Sequence, residues 1–500
     1  MQLNQFNGGA NTRIAPHAIG INEGVIYTNI DNSGISLKPL LEDKDENTDV
    51  EKYIFNFKDN WISTDIDRDY QVFQEKLYYS DGVNIPQKST DGINWYNLGI
   101  AKPTTKTDIV DAEEDGNING TYQYCYTYYN SSDGTESQPA EYSDPLTISD
   151  SQIKVSYSAS DDAQVDKIRI YRVGGNLPAM SLVTEVDNDT AEYVDNLGDL
   201  DIIGSVLDSA NHAQAKEGLK YLTEANAMFF AAKDDKLYYS DIAYVNYWSD
   251  FNFIDFDANI TGIGAIGNGL LVFTKYKTYI ITGNSPETLS KYLLSGNQGC
   301  LSHKTIGFAH NILVWLSTDG ICASNGGEVE VVSRDKLGKI SFTDVKQAII
   351  YDDTYYLAYD TDKILCIDNR FGRIAKYIIC EVDSFHIYND TIYYSSNGRL
   401  YSMFNGTSNR SLTFKSAEFG DGQLSNIKNY KNVYINAIGS LTIKVYIDRD
   451  LVGTYNINSS TREIKLPQDK RRGYTIQFEI KGTGELRELY YIVEGRQNGK

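Results

Sequence analysis

Carboxylates are the commonest chemistry in this sequence. It holds 68 Asp and Glu, and two of them flanking a glycosidic bond would suffice for acid–base hydrolysis of a glycan. At that density some pair always lies at a workable spacing, so spacing selects none. The five histidines, His17, His212, His303, His310 and His386, stand beside no Gly-x-Ser-x-Gly nucleophile elbow. The five cysteines, Cys125, Cys300, Cys322, Cys366 and Cys380, are odd in number and far apart. That predicts free buried thiols made in a reducing compartment, not a disulfide framework. No Cys-x-x-Cys or paired-histidine spacing suggests zinc, and Asp187-Asn188-Asp189 lacks the Asp-x-Asp-x-Asp-Gly order of a calcium loop. Gly262-Ile263-Gly264-Ala265-Ile266-Gly267 is glycine-rich, but no strand–turn–long-helix unit follows to cradle a phosphate. The expectation is a protein that is not an enzyme, with no catalytic residue, cofactor or metal.

The elements that would have to position such residues are strands. Lys-Leu-Tyr-Tyr-Ser-Asp occurs at 76–81 and again at 236–241, and the second copy opens a run of similar strand centres. They are Leu237-Tyr238-Tyr239, Thr278-Tyr279-Ile280, Val314-Trp315-Leu316, Tyr355-Tyr356-Leu357 and Ile392-Tyr393-Tyr394, at intervals of 41, 36, 41 and 37 residues (278 − 237, 314 − 278, 355 − 314, 392 − 355). A period of about 40 residues with several short strands per unit is that of β-propeller blades. The 39 Tyr favour half-buried strands. Helical patterning is confined to two short candidates, 225–232 and 285–294.

Ser89-Thr90-Asp91-Gly92-Ile93-Asn94-Trp95 resembles the Asp-box hairpin of sialidase propellers, shortened by one residue, and reads as a structural turn. The formal net charge of −22 argues against a surface that grips nucleic acid, since gripping needs Lys and Arg against phosphates. It does not argue against a surface past which DNA slides. The start, Met1-Gln2-Leu3-Asn4-Gln5-Phe6, has no basic stretch before an apolar core, so no secretory signal is expected. No run of about 18 apolar residues predicts a membrane span.

The fold class expected is all-β: a β-propeller with an inserted immunoglobulin/fibronectin-III-like sandwich and a C-terminal β-sandwich. Residues 1–50 form an N-terminal arm and closing strand, with Val25-Ile26-Tyr27 as one strand, and 51–101 the first part of the propeller. The two hexapeptide copies lie 160 residues apart (236 − 76), far more than one period. The surplus, 102–210, has its own alternation, with Tyr122, Tyr124, Tyr126 and Tyr128 on one face of a strand, and suggests about seven short strands. Propeller strands resume over 211–410. In 411–500 Leu441, Ile443, Val445 and Ile447 alternate, turn at Asp448-Arg449-Asp450, and are followed by Ile476, Phe478 and Ile480, a second sandwich.

In the order and spacing of several segments the chain resembles the tail hub proteins of short-tailed bacteriophages, also called nozzle or packaged-DNA stabilisation proteins. The segments are Phe6-Asn7-Gly8-Gly9, Asn11-Thr12, Ala15-Pro16-His17 and Gly20-Ile21-Asn22-Glu23; Tyr238-Tyr239-Ser240-Asp241 with Trp248-Ser249-Asp250-Phe251; Ile263-Gly264-Ala265-Ile266-Gly267-Asn268 with Leu271-Val272-Phe273-Thr274; and Lys277 to Gly283 with Leu313 to Ile321. The resemblance implies a virion protein made in the host cytoplasm. It implies a homo-oligomeric ring, commonly a hexamer, below head-to-tail adaptor and portal rings. Such a ring surrounds part of the DNA ejection channel, closes it before infection, and carries spikes or fibres. Double-stranded DNA would pass the lumen without specific binding. Phe6, Asn7, Arg13, Pro16 and His17 are the candidate assembly contacts, because the arm has loop chemistry and little core of its own. The alternative is a glycan-binding or glycan-processing propeller acting in host-receptor recognition.

Overall fold

Hairpins of one kind build most of this chain. Six of them turn on two successive residues with φ between 44° and 65°: Lys58-Asp59, Gln74-Glu75, Asn226-Ala227, His310-Asn311, Asp352-Asp353 and Asn389-Asp390. Two left-handed residues make a turn whose twist matches that of the flanking strands, and Asn and Asp tolerate that conformation best among side-chain-bearing residues. The computed structural model describes residues 2–189, 191–202, 204–208, 212–267, 269–338, 340–368, 374–421 and 426–495. Among these residues there is no α-helix, only strands and three single 3-10 turns. No helix is long and apolar enough to cross a membrane.

The fold is all-β and of the β-propeller class. Its recurring element is the four-stranded antiparallel meander, seen in Lys220–Ala225, Met228–Lys233, Lys236–Tyr239 and Phe253–Asp255, then in Ile260–Ile266, Gly269–Thr274, Thr278–Thr282 and Ser290–Ser295. It recurs in Gly307–Ala309, Ile312–Ser317, Gly320–Ser324 and Val329–Val331, and in Ala348–Tyr351, Thr354–Tyr359, Lys363–Asp368 and Ile374–Ile379. Counted on second strands, which start at 228, 269, 312, 354 and 391, the intervals are 41, 43, 42 and 37. The strand centres picked from sequence are third strands in the first two sheets and second strands in the rest. The switch from third to second strand produced the short interval of 36, whereas the 37 remains when second strands alone are counted. The two Lys-Leu-Tyr-Tyr-Ser copies differ likewise: Lys76–Ser80 is the second strand of its sheet, Lys236–Tyr239 the third.

Contacts group the chain into two compact units, one of Met1–Ile66, Phe273–Thr278 and Leu293–Lys500, the other of Asp67–Val272 and Tyr279–Tyr292. In the first unit Ser384–Tyr388, Thr391–Ser396 and Arg399–Ser402 gain their fourth strand from Lys44–Asp49, in the register Arg399↔Asp49 and Ser402↔Lys44. The terminal sandwich lies in the same unit. One sheet runs Gln2–Leu3, Glu485–Gly495, Lys428–Ile438, Glu463–Lys465. The other runs Gly24–Thr28, Leu412–Ser416, Ile476–Gly482, Leu441–Ile447, Asp450–Ile457, and continues through Gly24–Thr28 into the sheet of Ile374–Ile379. Val433, Ile435, Ile443, Val445, Phe478 and Leu489 meet between them in one apolar core.

In the second unit Tyr78, Leu98, Leu222, Phe229 and Trp248 pack the sheet of Lys76–Ser80 against that of Met228–Lys233. The inserted domain is a six-stranded sheet in the order Leu177–Asp187, Lys167–Gly174, Asp108–Asn130, Leu146–Ser156, Glu192–Asp195, with Thr135–Glu136 beside its central strand. That central strand is 23 residues long, well beyond the short strands expected, and kinks at register shifts between Asp111 and Gly120. Both short helices expected from sequence are absent. Residues 225–232 are the hairpin of Lys220–Ala225 and Met228–Lys233, whose apolar run is buried on both faces. In 285–294 one 3-10 turn, Pro286–Thr288, leads into strand Ser290–Ser295.

Candidate assembly site

The N-terminal segment is stitched into its own unit. Phe6 is 0% exposed, with Leu3 and Ala10 also buried. Its ring lies edge-on to Phe414 at 5.6 Å, its N–H donates to the Ile35 carbonyl at 2.9 Å, and its carbonyl accepts the Tyr27 hydroxyl at 2.8 Å. This corrects the expectation that the arm has little core and that Phe6 is a contact for a partner. The sequence shows an isolated aromatic in a loop; its socket joins Tyr27 and Ile35 to the distant Phe414. Gly9 turns at φ +74°, and a Cβ there would meet Ile374 and the Ala375 carbonyl within 2.7 Å.

Around this plug the polar residues of these segments form one cluster. Glu23 accepts from Asn11 Nδ2 and from the Gly20 N–H, both at 2.9 Å, and pairs with Lys336. Burial pushes the Glu23 carboxyl up, but the bonds from Lys336, Gly20 and Asn11 outweigh it and hold the carboxyl below its usual range. Thr12 donates its N–H to the Lys336 carbonyl at 2.9 Å. Asn7 is half-buried, and Pro16 accepts the Glu418 N–H through its carbonyl at 3.0 Å. Arg13 and His17 are exposed, Arg13 3.6 Å from Asp335. Of the five candidate contacts, Arg13 and His17 therefore lie on the exposed turn of 12–18, and Phe6 lies in the core. Asn268, one of the residues carrying the resemblance, lies outside the described residues.

The groups weighed for catalysis are placed as follows. Burial pushes the thiols of Cys125, Cys300, Cys322 and Cys366 up to about 12 and that of Cys380 to about 11, the opposite of nucleophile activation. Burial lowers His386 to about 4. Asp91 accepts from the N–H groups of Ile93 and Asn94, each at 2.8 Å, and from Ser89 Oγ at 2.9 Å. Those donors hold its carboxyl far below the usual range, so its lone pairs serve the turn. No group of His, Cys, Asp and Glu among the described residues could hold a metal ion.

Sequence reading missed a polar junction inside the second unit. The hairpin tip of the inserted domain sets Asp133 against Lys88, Oδ2 to Nζ 2.7 Å, with Lys76 at 3.5 Å. Burial lowers the Lys88 pKa, an effect that Asp133 only partly offsets. Tyr247 clasps the same hairpin: its hydroxyl accepts the Glu136 N–H and donates to the Gly134 carbonyl, each at 3.1 Å. Asn246 donates to Thr135 Oγ1 at 2.8 Å, and His212 stacks on Tyr247 at 3.8 Å. The tip reads as an ordinary Asp-Gly turn, and its partners lie 45 to 113 residues away in sequence.

No protein-family model matches this chain, and no curated protein matches it. Similar solved structures include BamB from Moraxella catarrhalis, at 9% identity and TM-score 0.28, covering 68% of this chain and 95% of that one. The computationally designed protein Ika8 gives 11% and 0.29, covering 67% and 94%. Sqt1 from Saccharomyces cerevisiae gives 7% and 0.31, covering 73% and 98%. At such scores the likenesses carry no argument about function, and the fold class rests on the strand order above.

Proposed function

We propose that this chain is a structural protein of a bacteriophage tail, a hub or nozzle whose copies form a ring around part of the DNA ejection channel. The observation that carries the reading is the interdependence of the residues behind the sequence resemblance. Phe6-Asn7-Gly8-Gly9, Asn11 and Gly20 to Glu23 look like separate loop consensus segments, yet they fold into one plug-and-clasp site. A set of residues that must fit one another is less readily matched by chance than independent turns. The formal net charge of −22 supports a conduit role, because a wall that repels phosphate does not hold a passing duplex. Adaptor rings and spikes or fibres are its partners in this reading, with Arg13 and His17 offered to them.

The deciding experiment is electron microscopy of the purified chain across concentration, joined to a salt titration of duplex DNA binding. The expected result is a closed ring, six-fold in the simplest case, that does not retain DNA at physiological salt. A monomer with measurable affinity for glycans would overturn the reading, as would submicromolar DNA binding with a steep salt slope.

A further inference from the structure

Copies of a chain with a formal net charge of −22 repel one another at long range. Self-association therefore needs a local surplus of cations on some surface. Many cations of this chain are engaged by its own carboxylates: Lys167 by Asp187, Lys216 by Asp250, and Arg399 by both Asp45 and Asp49. The edge of the terminal sandwich differs. Strand Lys428–Ile438 is flanked there by two short strands, Glu463–Lys465 and Arg472–Gly473, with the chain between them passing through Lys470 and Arg471. Residues 462–472 hold five cations and two carboxylates, a surplus of 5 − 2 = 3. Lys465, Lys470 and Arg472 are exposed, Arg471 is half-buried, and among the described residues none of the four has a carboxylate within 4.0 Å.

The same sheet presents an aromatic centre beside this basic edge. Tyr434 and Tyr490 stack at 4.7 Å on its outer face, and Ile492 on that face is 47% exposed. An aromatic and aliphatic centre with a charged rim is the anatomy of a protein-binding surface. The chain carries its own complement. Residues 108–115 contain Asp108, Asp111, Glu113, Glu114 and Asp115, all exposed, with no cation and with Val110 46% exposed among them. One side of this limb pairs with Leu146–Ser156, while the partner on the other side, Lys167–Gly174, joins only from Tyr122 onward. Among the described residues the limb is therefore an acidic strand with an open edge.

We propose that the outer face and basic edge of the terminal sandwich bind the acidic limb, residues 108–115, of a second copy of this chain. The contact joins two different surfaces, so it is heterologous and propagates from copy to copy, closing into a ring if the rotation allows. This rests on the ring reading above and supplies it with an attractive contact between like-charged subunits.

The test uses the full chain and two charge reversals, Lys470→Glu/Arg471→Glu/Arg472→Glu and Asp108→Lys/Glu114→Lys. Four of the five side chains are exposed and Arg471 is half-buried, and an unchanged unfolding midpoint shows that each variant folds. Sedimentation velocity should show each reversal weakening self-association about tenfold or more, and an equimolar mixture of the two recovering it. Association of the wild type should also weaken as NaCl rises from about 50 to about 500 mM. Rings that form equally well with either reversal would overturn the proposal and leave the hub reading standing. A wild type that stays monomeric at every concentration overturns both. Reversal-sensitive association into open chains or dimers would uphold the contact and sink the ring. Loss of duplex DNA retention in the basic-edge variant, with association intact, would overturn the proposal in favour of a phosphate-binding surface.

Discussion

The inserted domain and the terminal sandwich are built from the same antiparallel strands, but their interiors differ in kind. The terminal sandwich is closed by Val433, Ile443, Val445, Phe478 and Leu489, side chains with nothing to hydrogen-bond. The inserted domain buries a charged cluster. Arg172, 0% exposed, pairs with Asp195 at 2.7 Å and Asp199 at 3.0 Å, while Asp195 also accepts the Tyr124 hydroxyl at 2.7 Å. On the other face of its central strand Glu136 takes bonds from Thr127, Tyr171 and Arg169. An apolar core tolerates many repackings, whereas a buried ion cluster is satisfied in one register only. The insert thus fixes geometry at the cost of sensitivity to single changes. The sandwich gains stability from area and forgives more.

The sharpest way to break that contrast is Arg172→Met. It strands two carboxylates in the insert and should cost about 3–5 kcal/mol, read as early loss of near-ultraviolet tyrosine signal from the insert. Arg172→Lys, which keeps the charge but loses the two-pronged geometry, should lose less. Near-neutral behaviour of Arg172→Met would mean that the cluster does not set the insert's stability. In the sandwich, Ile443→Ala should cost about 2–4 kcal/mol as a cavity, and Phe6→Ala about 3 kcal/mol. Both should show the same penalty at pH 5 and pH 8 in chemical denaturation, because no titrating group is exposed by either change.

A smaller effect concerns acid. Burial works against the Asp133 carboxylate, but Lys88 and Thr135 hold it down to about 2. An unfolded Asp titrates near ~3.9, so this contribution is complete above that pH and is lost as pH falls towards 2. Hydrogen exchange of the 130–136 amides should therefore accelerate between about pH 4 and pH 2 beyond the intrinsic rate. Asp133→Asn should remove the acid-dependent part. The smallest change is expected at His17→Ala, within about 0.5 kcal/mol of wild type, since His17 is exposed. If the chain is the tail component proposed above, a defect in joining the particle, with stability intact, would then mark His17 as a contact.

Much of the fold was legible because its signals are local. The Asp448-Arg449 turn and the alternations at Leu441–Ile447 and Ile476–Gly482 each span only a few residues, and the strand period is a repeat of such short runs. The Asp91 turn is legible for the same reason. What failed depends on distant partners. The apolar run at 228–232 suits a helix or a strand buried on both faces, and only its neighbours decide. Phe6 looked like bait for another subunit because its socket comes from Tyr27, Ile35 and Phe414. The Lys88–Asp133 junction was invisible, since no pattern links a blade strand to a hairpin tip across an insertion.

Strand Lys44–Asp49 completes a sheet whose other members begin at Ser384, and its partner Arg399 is 350 residues from Asp49. On a ribosome adding roughly 5–20 residues per second, that strand waits about 20–70 s for its neighbour to be made. Strands Gln2–Leu3 and Gly24–Thr28 wait longer, for partners near residues 489 and 414. A waiting strand is an invitation to the wrong partner, and the composition of this one, Lys-Asp-Glu-Asn-Thr-Asp, discourages the mistake, since neighbouring nascent chains meet like charge. Strand Gln2–Leu3 thus stays unpaired until residues near 489 are made, and a chain cut short before them leaves it unclaimed.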